Sequence, residues 1–278
     1  MFTQSRHNNF NIVRYFPDSS KGKLARLGGI TEIHKNEIGP VCDESGINED
    51  HPLIHALHTV KPNLEMTILT DPFHSLIPEG QRKARQGDLF IDPNRVAGKT
   101  SPAEFEYQTR RQRALINSLL KRSGEIMASA RDLFQGNPIL SLHADQPHEM
   151  DLAESLSYQG QNSYTYGYIA WNTQAFSRNH IQGLWNSFIA TLPINSVVAR
   201  NKYLLEPEQA LGNVDMKIRN GLIKLPDPIS DGTFENQLVV EGISPLTVCY
   251  ELPLAPLNTQ QQIMANFLRR FLSPLLLQ

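Results

Sequence analysis

The sequence predicts a layered α/β domain, three layers deep (α/β/α), with helices on both faces of a central sheet. Three observations point to it. Short apolar or β-branched runs of strand length recur along the chain, and they alternate with longer stretches whose apolar residues repeat at helical spacing. No repeat or low-complexity linker divides the 278 residues, so a single domain over 1–278 is expected, long enough to bury a sizeable core.

The expected buried strands are Asn11 to Phe16, Lys23 to Ile30, Glu65 to Leu69, Ile139 to His143, Ser196 to Ala199 and Leu246 to Leu252. A short helix is expected over His51 to His58. The clearest helix opens at Ser101, a capping residue, with Pro102 at the first helical position and Glu104 completing a capping box. It is expected to run to about Lys121, with the segment up to Phe134 also helical. Thr173 to Ala190 reads as another. The last opens at Asn258 with Gln261 three residues on, and Ile263, Met264, Phe267, Leu268, Phe271 and Leu272 give it an apolar face to lay on the sheet. Glu206 to Gly242, polar and rich in Pro and Gly, reads as an irregular excursion.

Composition narrows the partners. The chain holds 26 Lys plus Arg against 28 Asp plus Glu, a net charge of -2, which leaves no basic excess for a phosphate backbone. Nucleic acid is therefore not expected as a partner, and a small polar substrate fits better. The two cysteines, Cys42 and Cys249, lie far apart without a CxxC partner, which argues against a disulfide framework or a cysteine zinc site and for a reducing compartment. No apolar run is long enough to span a bilayer, and MFTQSRHNNFNIVRYF lacks the apolar centre of a secretory signal. A cytoplasmic protein with no membrane partner is the expectation.

Four segments carry residues suited to chemistry. His34 and Glu37 follow an apparent strand three residues apart, a spacing that can bring an imidazole and a carboxylate to one side; two solvated polar side chains fit the same short pattern. In Asp92-Pro93-Asn94-Arg95 the arginine offers a planar fork for a carboxylate and Asn94 a donor and an acceptor, although Asp-Pro-Asn is also good turn chemistry. Ile139 to His143 is an apolar strand delivering an imidazole at its carboxyl end, where ligands gather in open α/β sheets. Leu246 to Leu252 carries Glu251 among apolar neighbours, which favours a partly desolvated carboxylate useful as a general base. Alternation puts Thr247, Cys249 and Glu251 on one face, so an edge strand with Glu251 in water remains open.

Other constellations read more plainly. His51, His55 and His58 stand at helical spacing but have no acidic partner nearby, which makes them a partly exposed helix face rather than a metal or pH-sensing cluster. His148 and Glu149 follow Pro147 and read as a loop at the cleft rim, with a substitute ligand role if the strand register shifts. No Walker loop, Rossmann glycine fingerprint, HExxH or G-x-S-x-G occurs.

In this order, His34-x-x-Glu37, Asp92-x-Asn94-Arg95, a strand ending in His143 and a strand carrying Glu251-Leu252, the chain resembles the zinc carboxypeptidase superfamily. That superfamily includes carboxypeptidase A and the succinylglutamate desuccinylase/aspartoacylase branch. The resemblance implies a phosphorylase/hydrolase-like fold with a mixed, mostly parallel central sheet. It implies one Zn(2+) per chain on His34, Glu37 and His143, with a fourth position open to water. It gives Asn94 and Arg95 to the substrate carboxylate, Glu251 to proton transfer, and Arg85, in preference to Arg82, to the scissile carbonyl. The implied activity is a zinc-dependent hydrolase cleaving an amide bond next to a free carboxylate, a metallocarboxypeptidase acting on a small peptide. An N-acyl amino acid deacylase is the alternative within the superfamily, and an inactive zinc- or ligand-binding protein on the same fold is the alternative outside it. Lys35 stands where glycine is common after the first histidine, and Pro93 replaces the usual leucine, changes that bear on specificity. Tyr203 and Tyr250 are available by position for the family's mobile tyrosine, but packing roles suit both better.

Overall fold

The computed structural model describes residues 1–18, 24–33, 39–43, 45–73, 76–77, 83–144, 164–172, 176–192, 197–198, 217–219, 222–230, 232–253 and 255–277. The strands are β1 (Phe2–His7), β2 (Phe10–Tyr15), β3 (Ala25–Thr31), β4 (Cys42–Asp43), β5 (Gly46–Ile47), β6 (Leu64–Thr70), β7 (Ala84–Gln86), β8 (Leu89–Ile91), β9 (Ile139–Ala144), β10 (Tyr164–Trp171), β11 (Val197–Val198), β12 (Lys217–Arg219), β13 (Leu222–Pro226) and β14 (Leu246–Leu252). The helices are α1 (Pro52–Val60), α2 (Arg110–Phe134), α3 (Arg178–Ile189), α4 (Phe234–Val240), α5 (Leu257–Phe267) and α6 (Ser273–Leu276).

One large sheet runs in the order β1-β2-β6-β3-β9-β14-β10-β13-β12, with β11 paired to β10. Its centre, β6-β3-β9-β14, is parallel throughout; β10 runs antiparallel to β14 and parallel to β13, and β1 and β2 add an antiparallel edge. This is the expected mixed, mostly parallel sheet. Such a sheet is stable only with both faces covered, and two separate cores cover them. On one face Leu140, Leu142, Val248 and Tyr250 meet α1, α3 and α5. On the other, Ile30, Leu69 and Ile139 meet α2 and α4 through Ile116, Ala130, Phe134 and Phe234. The result is an α/β/α three-layer domain.

Every strand expected from the sequence is present; of Ser196 to Ala199, Val197–Val198 form β11, and residues 196 and 199 lie outside the described residues. Helix boundaries needed correction. Ser101 does form a complete capping box with Glu104, but it caps a 3-10 turn over Pro102–Glu104 that ends at Phe105 in extended backbone. The long helix starts afresh at Arg110 under a second box, Thr109 with Gln112. It ends at Gln135, where Gly136 at φ +77 reverses the chain toward β9. Asn258 caps nothing; its side chain accepts from the adjacent Thr259 N–H, and α5 begins after Pro256 without a side-chain cap. The expected apolar face of α5 is right and continues through a π turn, Leu268–Leu272, into α6. Of Thr173 to Ala190, residues 173–175 lie outside the described residues and Arg178–Ile189 form α3.

The excursion over Glu206 to Gly242 is corrected in its second half, which holds β12, β13 and α4. The polarity that suggested an irregular loop belongs to Glu235, Asn236 and Gln237, which are buried and hydrogen-bonded on α4. His51 is also corrected. It is buried at the start of α1, where its Nδ1 accepts the Leu53 N–H at 3.2 Å. His58 is exposed, as expected, and stacks on Phe2. Both cysteines are buried thiols that form no disulfide. Among the described residues no helix is long and apolar enough to cross a membrane.

Candidate functional site

The carboxyl ends of the central parallel strands gather the chemistry. β9 and β14 lie side by side in parallel register with Glu251 paired to His143 and Cys249 to Ser141. Paired residues in a sheet project to the same face, so Ser141, His143, Cys249 and Glu251 share one. β14 is flanked by β9 and β10 and buried along its whole length, which rules out the edge-strand reading for Glu251. His143 is 1% exposed and Glu251 7%.

Helix α4 covers this patch. Thr233 caps it by accepting the Asn236 N–H, and Gly232, at φ +89, lets the loop close tightly on the preceding segment: a Cβ there would lie 2.8 Å from the Arg95 carbonyl oxygen. The consequence is that Glu235, in the first turn, enters the sheet face. Its Oε1 lies 3.3 Å from His143 Nε2, accepts the Ser141 hydroxyl at 2.7 Å and accepts the Asn94 amide at 3.5 Å. Burial alone pushes the Glu235 carboxyl up, but the hydrogen bond from His143, the charge that ring carries when protonated, the Ser141 hydroxyl and its own backbone N–H outweigh that and hold it below its ordinary value. Next along α4, Asn236 accepts the Tyr168 hydroxyl from β10.

The expected site residues fare differently. His34 and Glu37 lie outside the described residues, as do Arg82, His148, Glu149 and Tyr203. β3 ends at Thr31, the register partner of Leu142, so the chain leaves β3 beside the residue that precedes His143. Asn94 and Arg95 sit in a 3-10 turn, Pro93–Arg95, capped by Asp92. The Asn94 amide is committed inward: Oδ1 accepts the Phe234 N–H at 3.2 Å while Nδ2 donates to Glu235. Arg95 is exposed. Arg85 lies on the separate β7-β8 hairpin, where its guanidinium donates to the Gly87 carbonyl at 3.0 Å and sits 4.9 Å from the Phe90 ring centroid. Tyr250 packs on the opposite face, stacked on Phe267 with ring centroids 4.2 Å apart, the packing role expected of it.

The residue that sequence reasoning missed is Glu235. It falls in the stretch read as irregular, 92 positions from His143, and no short motif links them. With Cys249 it completes a buried group: one ligand atom each from His143, Glu235 and Cys249, all within 4.8 Å of one another. Imidazole, carboxylate and thiol together suit a borderline-soft divalent ion such as zinc.

No protein-family model and no curated protein matches the sequence. Solved structures do match. A putative metallopeptidase from Shewanella denitrificans OS217 aligns at 18% identity over 99% of this chain and 84% of its own, with a TM-score of 0.50. A second putative metallopeptidase, from Shewanella amazonensis SB2B, aligns at 17% identity over 100% of this chain and 88% of its own, also at 0.50. The carboxypeptidase A of Helicoverpa armigera aligns at 12% identity over 92% of this chain and 62% of its own, at 0.44. What the chain shares with the two Shewanella proteins is the fold, and at that level the likeness read from the sequence holds.

Proposed function

We propose that the chain is a metal-dependent hydrolase that cleaves an amide bond beside a free carboxylate, with a small peptide as substrate. The observation that carries this reading is the direct register pairing of His143 with Glu251 at the carboxyl ends of two buried, adjacent parallel strands. An imidazole fit to bind an ion and a carboxylate fit to move a proton thus stand one strand apart, where ligands collect in such sheets.

The imidazole of His143 suits a zinc ion. His143 is buried, with one ring nitrogen against Glu235 and Ser141, an arrangement characteristic of metal-binding histidines. In this reading His143 holds one Zn(2+) per chain together with His34 and Glu37, whose segment follows β3. Bound zinc would lower the pKa of a coordinated water to about 7 and polarise the scissile carbonyl.

The protein's own groups do the rest. Glu251 takes a proton from the attacking water and returns it to the leaving amine, and its burial keeps the carboxylate from being levelled by solvent. Arg95 receives the substrate carboxylate in its planar fork and so aligns the amide for attack. Asn94 supports the turn that carries Arg95, because both ends of its amide are engaged by α4. Arg85 serves the carbonyl oxygen only by leaving Gly87 and Phe90. The same reading places the protein in the cytoplasm, where the thiols of Cys42 and Cys249 stay reduced.

Turnover of a panel of C-terminally varied peptides beside N-acyl amino acids tests the proposal. Release of a C-terminal residue supports a carboxypeptidase, and release of an acyl group moves the assignment to a deacylase. Zinc binding without either reaction would make the chain a binding protein.

A further inference from the structure

The two oxygens facing His143 define more than a cluster, because together they decide which of its ring nitrogens carries the proton. A neutral imidazole has one donor nitrogen and one acceptor, and its neighbours choose between them. Nε2 faces two oxygens, Glu235 Oε1 at 3.3 Å and Ser141 Oγ at 3.0 Å. The carboxylate is an acceptor only. The Ser141 hydroxyl proton is already directed into the same carboxylate at 2.7 Å, so the serine presents a lone pair to the ring. A bare Nε2 would set lone pairs against lone pairs in a site where the His143 and Glu235 side chains are 2% and 3% exposed. Nε2 is therefore the protonated nitrogen.

We propose that Glu235 is a positioning residue that fixes His143 as the Nε2–H tautomer and so presents Nδ1 as its ligand nitrogen. The inference rests on the reading of His143 as a metal ligand, and it deepens that reading by naming what orients the ring. Glu235 is itself held in place. Ser141 and Asn94 both donate to Oε1, and Asn94 is fixed by the Phe234 N–H at the start of α4. The Asp92-Pro93-Asn94-Arg95 turn thereby reaches the metal-binding histidine through one carboxylate. Carboxylate contacts of this kind raise the basicity of the ligand nitrogen, and their loss costs about 10–100-fold in metal affinity.

Two measurements test this. In the metal-free protein, nitrogen-15 NMR of the imidazole reads the His143 tautomer directly. The expected result is a proton on Nε2, with the Nδ1–H form gaining population in Glu235→Ala. A wild-type ring protonated on Nδ1 alone, or an unchanged tautomer in a folded Glu235→Ala variant, overturns the proposal. Zinc affinity by chelator competition is the second. Glu235→Ala is expected to weaken it about 10–100-fold, and Glu235→Gln, which preserves shape and so guards against misfolding, by a smaller factor. Native affinity in both variants overturns the proposal. So does loss of zinc from Cys249→Ser, since the ion would then sit in the His143, Glu235 and Cys249 group. A wild-type chain that shows the Nε2–H tautomer yet takes up no zinc keeps Glu235 as the residue that sets the ring and defeats the hydrolase reading alone.

Discussion

Glu251 stands directly across from His143 in the register of β14 and β9, and both side chains are buried at the strands' carboxyl ends. Their roles separate cleanly by substitution. Glu251→Gln preserves shape and removes the proton acceptor, so turnover should fall about 10²–10⁴-fold with metal retained. His143→Ala removes a ligand, so metal should be lost along with activity. Steady-state rates and metal analysis on the same preparations check this; equal activity in both variants would contradict the assignment.

The capping boxes give a test of the fold. Thr109 caps a 25-residue helix, whereas Ser101 caps a single exposed 3-10 turn. Thr109→Ala should cost about 1 kcal/mol in urea unfolding. Ser101→Ala should cost less, and the reverse ranking would return the start of the long helix to Ser101.

The glycine pair in β3 should respond unequally. A Cβ on Gly28 would lie 2.7 Å from the Phe134 ring, which is wedged between α2 and the sheet, while one on Gly29 would meet the flexible end of Met66 at the same distance. Gly28→Ala should destabilise the chain by about 1–3 kcal/mol through overpacking, and Gly29→Ala by less. Thermal unfolding of the two variants decides the order.

His51 makes stability depend on acid. Burial lowers its pKa to about 3, below the ordinary 6.5. As the pH falls from 6.5 the unfolded chain takes up a proton that the folded chain refuses, so the stabilisation present above 6.5 is lost progressively toward pH 3. The slope is about 1.4 kcal/mol per pH unit, or about 2 kcal/mol by pH 5. The lowered Glu235 carboxyl acts below its ordinary 4.5, outside the range from pH 5 to 6.5. His51→Asn keeps an acceptor for the Leu53 N–H and should flatten the slope between pH 5 and 6.5, as urea titrations across that range would show. An unchanged slope would assign the acid sensitivity elsewhere.

Much of this was legible in the sequence because the central strands announce themselves. Ile139 to His143 and Leu246 to Leu252 are mainly apolar runs that carry His143 and Glu251 at or near their ends, the signature of a strand buried on both faces with its chemistry at the carboxyl end. β10 was not legible: its residues, Tyr164–Trp171, mix tyrosine, threonine and glycine without a clean apolar run. Nor was α4. A buried helix is expected to be apolar, and Glu235, Asn236 and Gln237 are tolerated inside only because each meets a partner fixed by tertiary structure. Such partners lie far apart in sequence, where spacing carries no signal. The inward use of Asn94 was hidden for the same reason, since the turn chemistry of Asp92-Pro93-Asn94 describes the backbone and says nothing of what lies beneath it.

The central claim is that His143 binds an ion beside Glu251. Metal analysis of protein purified without added metal tests it most directly. The account predicts one zinc per chain in the wild type and none in His143→Ala; a wild-type chain free of metal and unable to take up zinc on titration would contradict it.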